Sequence, residues 1–298
     1  MMNKKGLTIS MIFEASSANY GEGIGNISSL KKMTRSDGKV YTYISRQAMR
    51  YNIVQQMEID NTPVNDAQKV VQFTPDAKID QYPEIDLFGY MKTTKGGQDI
   101  RSAVARLSNA ISLEPYKADT DFLTNMGLAK RNNLDNAIAQ SEIHKSLYAY
   151  TVTIDLDKVG VDKEIEISSE EKAKRVVKLL ETIEFLWRDI KGRRENLNPV
   201  FVVGGVYDRK NPYFENRLKL NNEKLQLNAD MISDVINSCD DTKENTIVGY
   251  LDGVFENDNY IKEKLSPMTV NEMFSQLIEK VRAYYAWGNK TKTISAVT

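Results

Sequence analysis

The apolar positions near the N-terminus predict two strands followed by a helix. Residues 7–13 are rich in β-branched and apolar side chains, and residues 40–44 alternate in polarity, so both are predicted strands. Ser45 is a favourable N-cap for the next helix, because its hydroxyl can accept a backbone N–H of the first turn. The buried stripe of this helix is predicted to comprise Met49, Ile53 and Met57.

The second half of the chain has clearer strand and helix patterns. Residues 147–156 form a predicted strand that places Tyr148 and Tyr150 on one face with aliphatic side chains, which favours core packing over base stacking for both tyrosines. The run at 199–206 is apolar throughout, as in a strand buried on both faces. Further elements predicted here are a strand over 246–255, a helix over 229–239 and helices that begin with capping boxes at Ser168 and Thr269.

Between about residues 60 and 145 the pattern loosens. Prolines punctuate this segment, and Lys95–Gln98 marks a break. One helix is predicted inside it, from the spacing of Ile100, Val104, Leu107 and Ile111. We interpret the segment as an insertion into an α+β fold whose sheet carries helices on one face.

Composition excludes several classes of protein. The 298 residues hold 40 Lys+Arg against 41 Asp+Glu, and no apolar run approaches the roughly 20 residues that a membrane span needs. A secretory signal core is not apparent. With one cysteine, Cys239, and one histidine, His144, an internal disulfide and a cysteine- or histidine-based metal site are not expected. The chain is therefore predicted to be cytoplasmic and to need no metal or other cofactor, and Cys239 to be a small core residue.

Charge is segregated along this nearly neutral chain. Residues 28–55 carry six basic side chains and one acidic one, whereas residues 57–87 carry seven acidic side chains and two lysines. Basic side chains neutralise phosphates without reading sequence, and tyrosines among them can stack on bases. The basic residues are Lys31, Lys32, Arg35, Lys39, Arg46 and Arg50, and the nearby tyrosines are Tyr20, Tyr41 and Tyr43.

Three glycines at 21–25 do not have the spacing of a nucleotide-binding loop. The third glycine comes too soon for a dinucleotide fingerprint, and no helix opens directly after it. The glycines fit a flexible hinge or a backbone close to an RNA phosphate, and the sequence leaves both open.

The basic cluster and its tyrosines predict RNA binding, and two functions from other classes are alternatives to it. His144 is the one histidine that could act as a base in a metal-independent endoribonuclease, although a lone histidine at an element boundary is usually structural. The acidic stretch at 57–87 would suit a protein-interaction module that binds no nucleic acid.

One specific motif and several supporting segments point to a known family. The motif is the Ile44-Ser-x-Gln-x-x-Arg50 pattern after a short strand. The supporting segments are residues 6–15, the Ala18-Asn19-Tyr20 loop, residues 43–50, residues 148–155 and residues 204–214. Together they resemble the DevR-type autoregulators, which form the backbone subunit of type I CRISPR Cascade complexes, here of the subtype I-B branch.

The resemblance implies a fold, a function and partners. The fold would be a ferredoxin-like (RRM-like) palm over residues 1–60 and 146–298, with a helical fingers insertion over 60–145 and a thumb hairpin over about 206–224. The protein would be a non-catalytic subunit that binds crRNA without reading its sequence and forms a helical oligomer. The guide would remain free to pair with target DNA. Its partners would be further copies of itself and the other Cascade subunits, namely the large subunit, the cap subunit and the repeat-processing endoribonuclease.

The resemblance also implies the RNA-binding residues. The family's guide-binding pattern falls on Ser45, Gln47 and Arg50, and the thumb falls around Arg209, Lys210 and Phe214. The full set of expected RNA contacts is Asn19, Tyr20, Lys31, Lys32, Arg35, Ser45, Arg46, Gln47, Arg50, Arg209, Lys210 and Phe214.

Overall fold

The computed structural model describes residues 4–17, 19–67, 70–94, 97–221 and 224–295. Ala18 of the predicted loop, and Lys95 and Gly96 of the predicted break, lie outside these residues. The strands are β1 Gly6–Ser17, β2 Tyr20–Ile24, β3 Ile27–Leu30, β4 Lys32–Thr34, β5 Val40–Ile44, β6 Val64–Ala67, β7 Val70–Phe73, β8 Tyr90–Thr94, β9 Gly97–Arg101, β10 Ala105–Leu107, β11 Ala110–Ser112, β12 Asp119–Thr124, β13 Ile138–Asp155, β14 Val161–Asp162, β15 Ile165–Glu166, β16 Trp187–Ile190, β17 Arg193–Asn196, β18 Phe201–Tyr207 and β19 Thr246–Tyr250. The α-helices are α1 Arg46–Gln56, α2 Pro83–Phe88, α3 Met126–Ala129, α4 Ser169–Glu184, α5 Ala229–Ile236, α6 Asp240–Asn245, α7 Asp258–Leu265 and α8 Val270–Ser295, with short 3₁₀ turns at Lys130–Asn132 and Leu156–Lys158.

A central antiparallel sheet organises the molecule, with strand order β19-β18-β1-β13-β11-β5-β4. β1 lies at its centre, paired with β13 on one side and β18 on the other. Gly204 of β18 faces Ile9 and has φ of +156°, and a Cβ placed there would lie 2.0 Å from the carbonyl oxygen of Thr8. Only glycine therefore permits the two strands to approach so closely at this position.

The two faces of the sheet pack against separate groups of helices. The alternate residues Leu7, Ile9, Met11 and Phe13 of β1 contribute to a core with α1, α4 and α8. Ile12 points to the other face, where Phe201 and Val203 pack with residues of α5 and α7. The expectation of helices on one face is wrong, because the apolar run of β18 is covered from both sides.

The strand predictions at 7–13, 40–44, 147–156 and 199–206 are confirmed by β1, β5, β13 and β18. The strand predicted over 246–255 is confirmed only for its first half, because β19 ends at Tyr250 and turns follow. Tyr148 and Tyr150 are buried in the core, as predicted. The predicted caps also form, since Ser168 and Thr269 accept the backbone N–H groups of Glu171 and Glu272 at 3.2 Å. Cys239 is half-buried at the start of α6 instead of lying in the core.

The predicted helix over residues 100–111 is wrong. Ile100 belongs to β9, and the residues after it form β10 and β11, which pair with β13 of the central sheet. The segment 60–145 is also not predominantly helical. Its described residues form mainly strands, with two short helices, α2 and α3.

Candidate nucleic-acid interface

The start of α1 is tied to the loop that precedes β2. Ser45 caps the helix, because its hydroxyl accepts the backbone N–H of Ala48 at 3.3 Å. The backbone N–H of Ser45 itself donates to the Oδ1 atom of Asn19 at 2.6 Å, and the backbone N–H of Arg46 donates to Oδ1 of Asn109 at 2.9 Å. Two amide side chains from distant parts of the sequence thus fix this helix start.

Lys31 belongs to the same local structure. Its backbone N–H donates to the carbonyl oxygen of Asn19, and its own carbonyl accepts the N–H of Tyr43, both at 3.0 Å. The structure therefore brings Asn19, Lys31 and Ser45 together, although 26 residues separate the first from the last.

Beside this helix start lies a cleft of about 920 Å³. Its floor is the polar part of the central sheet, where the hydroxyls of Ser10 and Thr151 hydrogen-bond at 2.6 Å. One wall holds Arg35, Arg46 and the segment 106–111, and the opposite wall is the segment 210–219 after β18. We call this feature the basic cleft, because its lining includes the side chains of Arg35, Arg46, Arg106, Lys210, Arg217 and Lys219 and a single acidic residue, Glu215.

Four cations of the basic cleft have no carboxylate partner within the described part of the chain: Arg35, Arg46, Arg217 and Lys219. The guanidinium of Arg35 lies 4.3 Å from the ring centroid of Tyr41, which holds it in place without neutralising it. Arg46, Arg217 and Lys219 are exposed. These four residues can therefore bind phosphates without first losing an ion pair.

The other two cations of the cleft are already paired. Arg106 contacts the buried carboxylate of Asp155 at 3.1 Å, and Lys210 contacts Asp157, with Asp155 at 3.9 Å. Burial raises the pKa of Asp155, but the hydrogen bond from Arg106 and the charges of Lys210 and Lys158 lower it, and the net shift is downward. Asp155 therefore stays ionised, and this corner of the cleft carries little free positive charge.

Some predicted contacts lie outside the basic cleft. Gln47 and Arg50 are exposed on α1 but do not line it, and the Arg50 guanidinium lies 5.7 Å from the ring centroid of Phe88. Lys32 forms an ion pair with Glu142 at 2.6 Å and lies above the ring of Tyr116, so its charge is neutralised. Arg209 is exposed, and its backbone N–H contacts the Asp241 carboxylate.

The prediction for Phe214 requires correction. Its side chain is fully buried among core residues such as Phe201 and Leu218, and it cannot insert between nucleotides without leaving that core. The predicted thumb hairpin also differs from the structure. The described residues between 208 and 224 form turns, and an isolated bridge joins Leu220 to Leu227 where paired strands were expected.

The glycine-rich segment is part of a hairpin. β2 and β3 pair antiparallel around a turn in which Gly25 has φ of +59°, a conformation that glycine adopts without strain. Tyr20 begins β2, and the ammonium of Lys191 lies 5.3 Å from its ring centroid. The segment is thus regular structure and not a hinge between elements.

His144 lies in the protein interior, away from the cleft. Its Nδ1 atom is 2.8 Å from the hydroxyl of Thr42, and its ring packs edge-on against Tyr116. Burial lowers the pKa of His144 below its ordinary value. The geometry is that of a neutral core histidine, and it gives the ribonuclease hypothesis no support.

Within the described ranges, no three His, Cys, Asp or Glu side chains come together in a way that could hold a metal ion. Over the same ranges, every helix is too short or too polar to cross a membrane.

The signal that could have identified the far wall of the cleft is short-range alternation. Arg217 and Lys219 flank the buried Leu218, so their side chains point away from the core together. The contacts expected from the sequence included neither Arg217 nor Lys219, and they did not include Arg106.

The sequence is similar to a known protein family and to a curated protein. The family model described as "CRISPR-associated negative auto-regulator DevR/Csa2" matches residues 7–228. A curated "CRISPR-associated protein Cas7/Cst2/DevR" from Myxococcus xanthus (strain DK1622) is 27% identical over 158 residues, which are 46% of this chain and 52% of that protein. The chain thus spans about half the length of that curated relative.

Two solved chains share the fold. One, from a structure described as "CRISPR RNA-guided surveillance complex, pre-nicking", superposes with a TM-score of 0.62 at 11% identity, covering 93% of this chain and 100% of that one. Another, from a "CRISPR RNA-guided surveillance complex", has a TM-score of 0.59 at 15% identity and covers 93% and 98%. At such identities these likenesses establish the mixed α+β fold alone. Because the family model covers most of the sequence, the chain belongs to the CRISPR-associated negative auto-regulator DevR/Csa2 family.

Proposed function

We propose that this protein is a non-catalytic backbone subunit of a type I CRISPR RNA-guided complex, of subtype I-B, and that it binds crRNA along its phosphate backbone without reading sequence. In this proposal residues 1–60 and 146–298 form the palm, residues 60–145 the fingers, and the segment 206–224 acts as the thumb. The family assignment and the fold support the general role.

The observation that carries the proposal is the basic cleft. Two of its unpaired cations, Arg35 and Arg46, come from the basic cluster near the N-terminus, and the other two, Arg217 and Lys219, come from the opposite wall. Cations on both walls can hold a polyanion between them, and none of the three arginines among them is paired with a carboxylate in the described residues. The proposed contacts are therefore Arg35, Arg46, Arg217 and Lys219, with Asn19, Lys31 and Ser45 fixing the helix start.

Self-association is the second part of the proposal. Every residue of β12 is exposed, although the strand pairs with β13. We call the segment 119–138 the arm. Large apolar side chains are exposed along it, namely Phe122, Leu123, Met126, Leu128, Leu134 and Ile138. We assign the arm to contact with a second copy, since an exposed apolar patch of this kind marks a protein interface. Replacing Phe122 and Leu123 by Ser should reduce assembly on long RNA, measured by sedimentation, while leaving the affinity for short RNA unchanged.

The expected partners follow from this role. The RNA would be held by its backbone, so its bases would remain available to pair with target DNA. The large subunit, the cap subunit and the repeat-processing endoribonuclease are the further proposed partners.

A filter-binding experiment tests the RNA-binding role. Wild-type protein and an Arg46→Gln/Arg217→Gln variant are titrated with two single-stranded RNAs of unrelated sequence at several salt concentrations. We expect the wild type to bind both RNAs with similar affinity, and the variant to lose affinity for both to the same extent. Loss of binding to only one of the RNAs, or equal binding by wild type and variant, would contradict the proposal.

A further inference from the structure

A second basic feature lies outside the cleft, in the hairpin of β16 and β17. We call residues 187–196 the basic hairpin. Its strands pair antiparallel around Lys191 and Gly192, whose φ values of +49° and +73° are those of a tight hairpin turn. The hairpin carries four cations, Arg188, Lys191, Arg193 and Arg194, against Asp189 and Glu195. It thus has an excess of two positive charges in a chain whose net charge is −1.

The base of the basic hairpin is fixed to the central sheet. The Glu195 carboxylate accepts the backbone N–H of Ser16 at 2.8 Å and pairs with the buried guanidinium of Arg188 at 2.6 Å. Arg193 contacts the same carboxylate at 3.0 Å, so one acidic group serves two arginines. The anchored base therefore presents its tip in a defined position. The two tip cations have only exposed carboxylates beside them within the described residues, since Lys191 lies 3.9 Å from Asp121 and Arg194 pairs with Asp189 at 3.0 Å.

The tip adjoins the proposed RNA path. The ammonium of Lys191 lies 5.3 Å from the ring centroid of Tyr20 and donates to Ser141 Oγ at 2.6 Å. Asn19, the residue before Tyr20, accepts the backbone N–H of Ser45 through its Oδ1 atom. The residue after Ser45, Arg46, lines the basic cleft. These contacts connect the cleft to the basic hairpin through the start of α1 and Tyr20.

The chemistry of the tip suits a single strand. The Arg194 guanidinium lies 3.7 Å from the ring centroid of Trp187, which makes a flat, cationic surface. Its ion pair with Asp189 is between two exposed side chains, and such pairs contribute little free energy. A phosphate can therefore exchange with that carboxylate, while the adjoining ring offers a face for stacking.

We propose that the basic hairpin is a second nucleic-acid contact site, which takes the phosphodiester backbone of the strand where it leaves the basic cleft past Tyr20. The inference rests on the proposed RNA-binding function and extends it to Trp187, Lys191 and Arg194, which the family pattern did not identify. Lys191 and Arg194 are the phosphate contacts, and Tyr20 and Trp187 flank them as stacking surfaces.

The test compares two variants that lose the same charge. Lys191→Gln/Arg194→Gln removes two cations from the tip, and Lys262→Gln/Lys264→Gln removes two paired cations from α7, outside the cleft lining. Each lost phosphate contact lowers the salt slope of binding to single-stranded RNA by about 0.7, so the hairpin variant should lose up to about 1.4 and the control variant none. Thermal denaturation checks that both variants are folded.

Chemical modification of the wild type gives a second readout that needs no substitution. Lys191 and Lys262 have similar side-chain exposure, 37% and 43%. Bound single-stranded RNA should protect Lys191 from acetylation and leave Lys262 reactive.

The outcomes separate this inference from the proposed function. Wild-type binding with a steep salt slope, equal slopes for both variants and no protection of Lys191 would overturn the hairpin site and leave the cleft intact. A wild type that binds no RNA would overturn the proposed function itself. A hairpin variant that keeps its RNA slope but loses a protein partner would assign the hairpin to protein docking and overturn the inference.

Discussion

Arg46 and Arg50 provide the sharpest comparison of side chains inside and outside the cleft. They lie one turn apart on α1 and carry the same charge, but only Arg46 lines the basic cleft, whereas Arg50 lies against Phe88. Replacing either by Gln removes one positive charge and keeps a good helix-forming residue. In the Arg46 variant the backbone N–H bond to Asn109 can also persist, because the side chain does not take part in it.

The expected magnitude follows from counterion release. One lost phosphate contact lowers the salt slope for single-stranded RNA by about 0.7. Between about 50 and 200 mM salt the affinity of Arg46→Gln should therefore fall about 2.6-fold less than that of the wild type. Arg50→Gln should retain the wild-type slope, because no cleft contact is lost.

Filter binding at four or more salt concentrations measures both slopes, with two RNAs of unrelated sequence to exclude base readout. Equal slopes for the two variants would refute the assignment of the phosphate path to the cleft. A larger loss for Arg50→Gln would place the path on the outer face of α1.

Three further predictions concern Lys210, Phe214 and His144. Lys210→Ala should weaken RNA binding without changing the salt slope, because Lys210 is paired with Asp157 and anchors the cleft wall; a slope loss of about 0.7 would instead make it a phosphate contact. Phe214→Ala should lower the free energy of unfolding in urea by about 3–5 kcal/mol, because a fully buried ring is removed; unchanged stability with lost RNA binding would restore it as a contact. Because burial lowers the folded-state pKa of His144, the unfolded chain takes up the proton first as pH falls through about 6.5, and stability should decline below that pH. His144→Gln should flatten this dependence in thermal melts at pH 7.5 and 5.5, and an unchanged pH profile would assign the decline to other groups.

The sequence was most informative where local rules coincide with the tertiary structure. The cap at Ser45 depends on the hydroxyl and the first turn of α1, which neighbouring residues determine. The run at 199–206 is apolar and rich in valine, which favours a buried strand, and most of it lies in β18.

The failed predictions involve long-range pairing. Val104, Leu107 and Ile111 have a spacing that fits a helix, but β10 and β11 gain hydrogen bonds from β13, about 40 residues further along the chain, and that pairing determines their structure. Periodicity cannot detect a partner strand at that distance.

The candidate site was predictable in part for the same reason. Arg35 and Arg46 belong to a cluster of charge visible in the sequence, and both line the cleft. The neutralisation of Lys32 by Glu142 joins residues 110 positions apart, and only the fold reveals it. The burial of Phe214 likewise depends on strands and helices from other parts of the chain.

The RNA content of the purified protein tests the central claim most directly. Protein isolated at low salt from cells that express a CRISPR array should carry short RNA of uniform length, visible as excess absorbance at 260 nm and as one band on a gel. That RNA should be released as the salt concentration is raised, because phosphate contacts dominate the binding. Protein that is free of RNA, and that also fails to retain added single-stranded RNA at about 50 mM salt, would contradict the account.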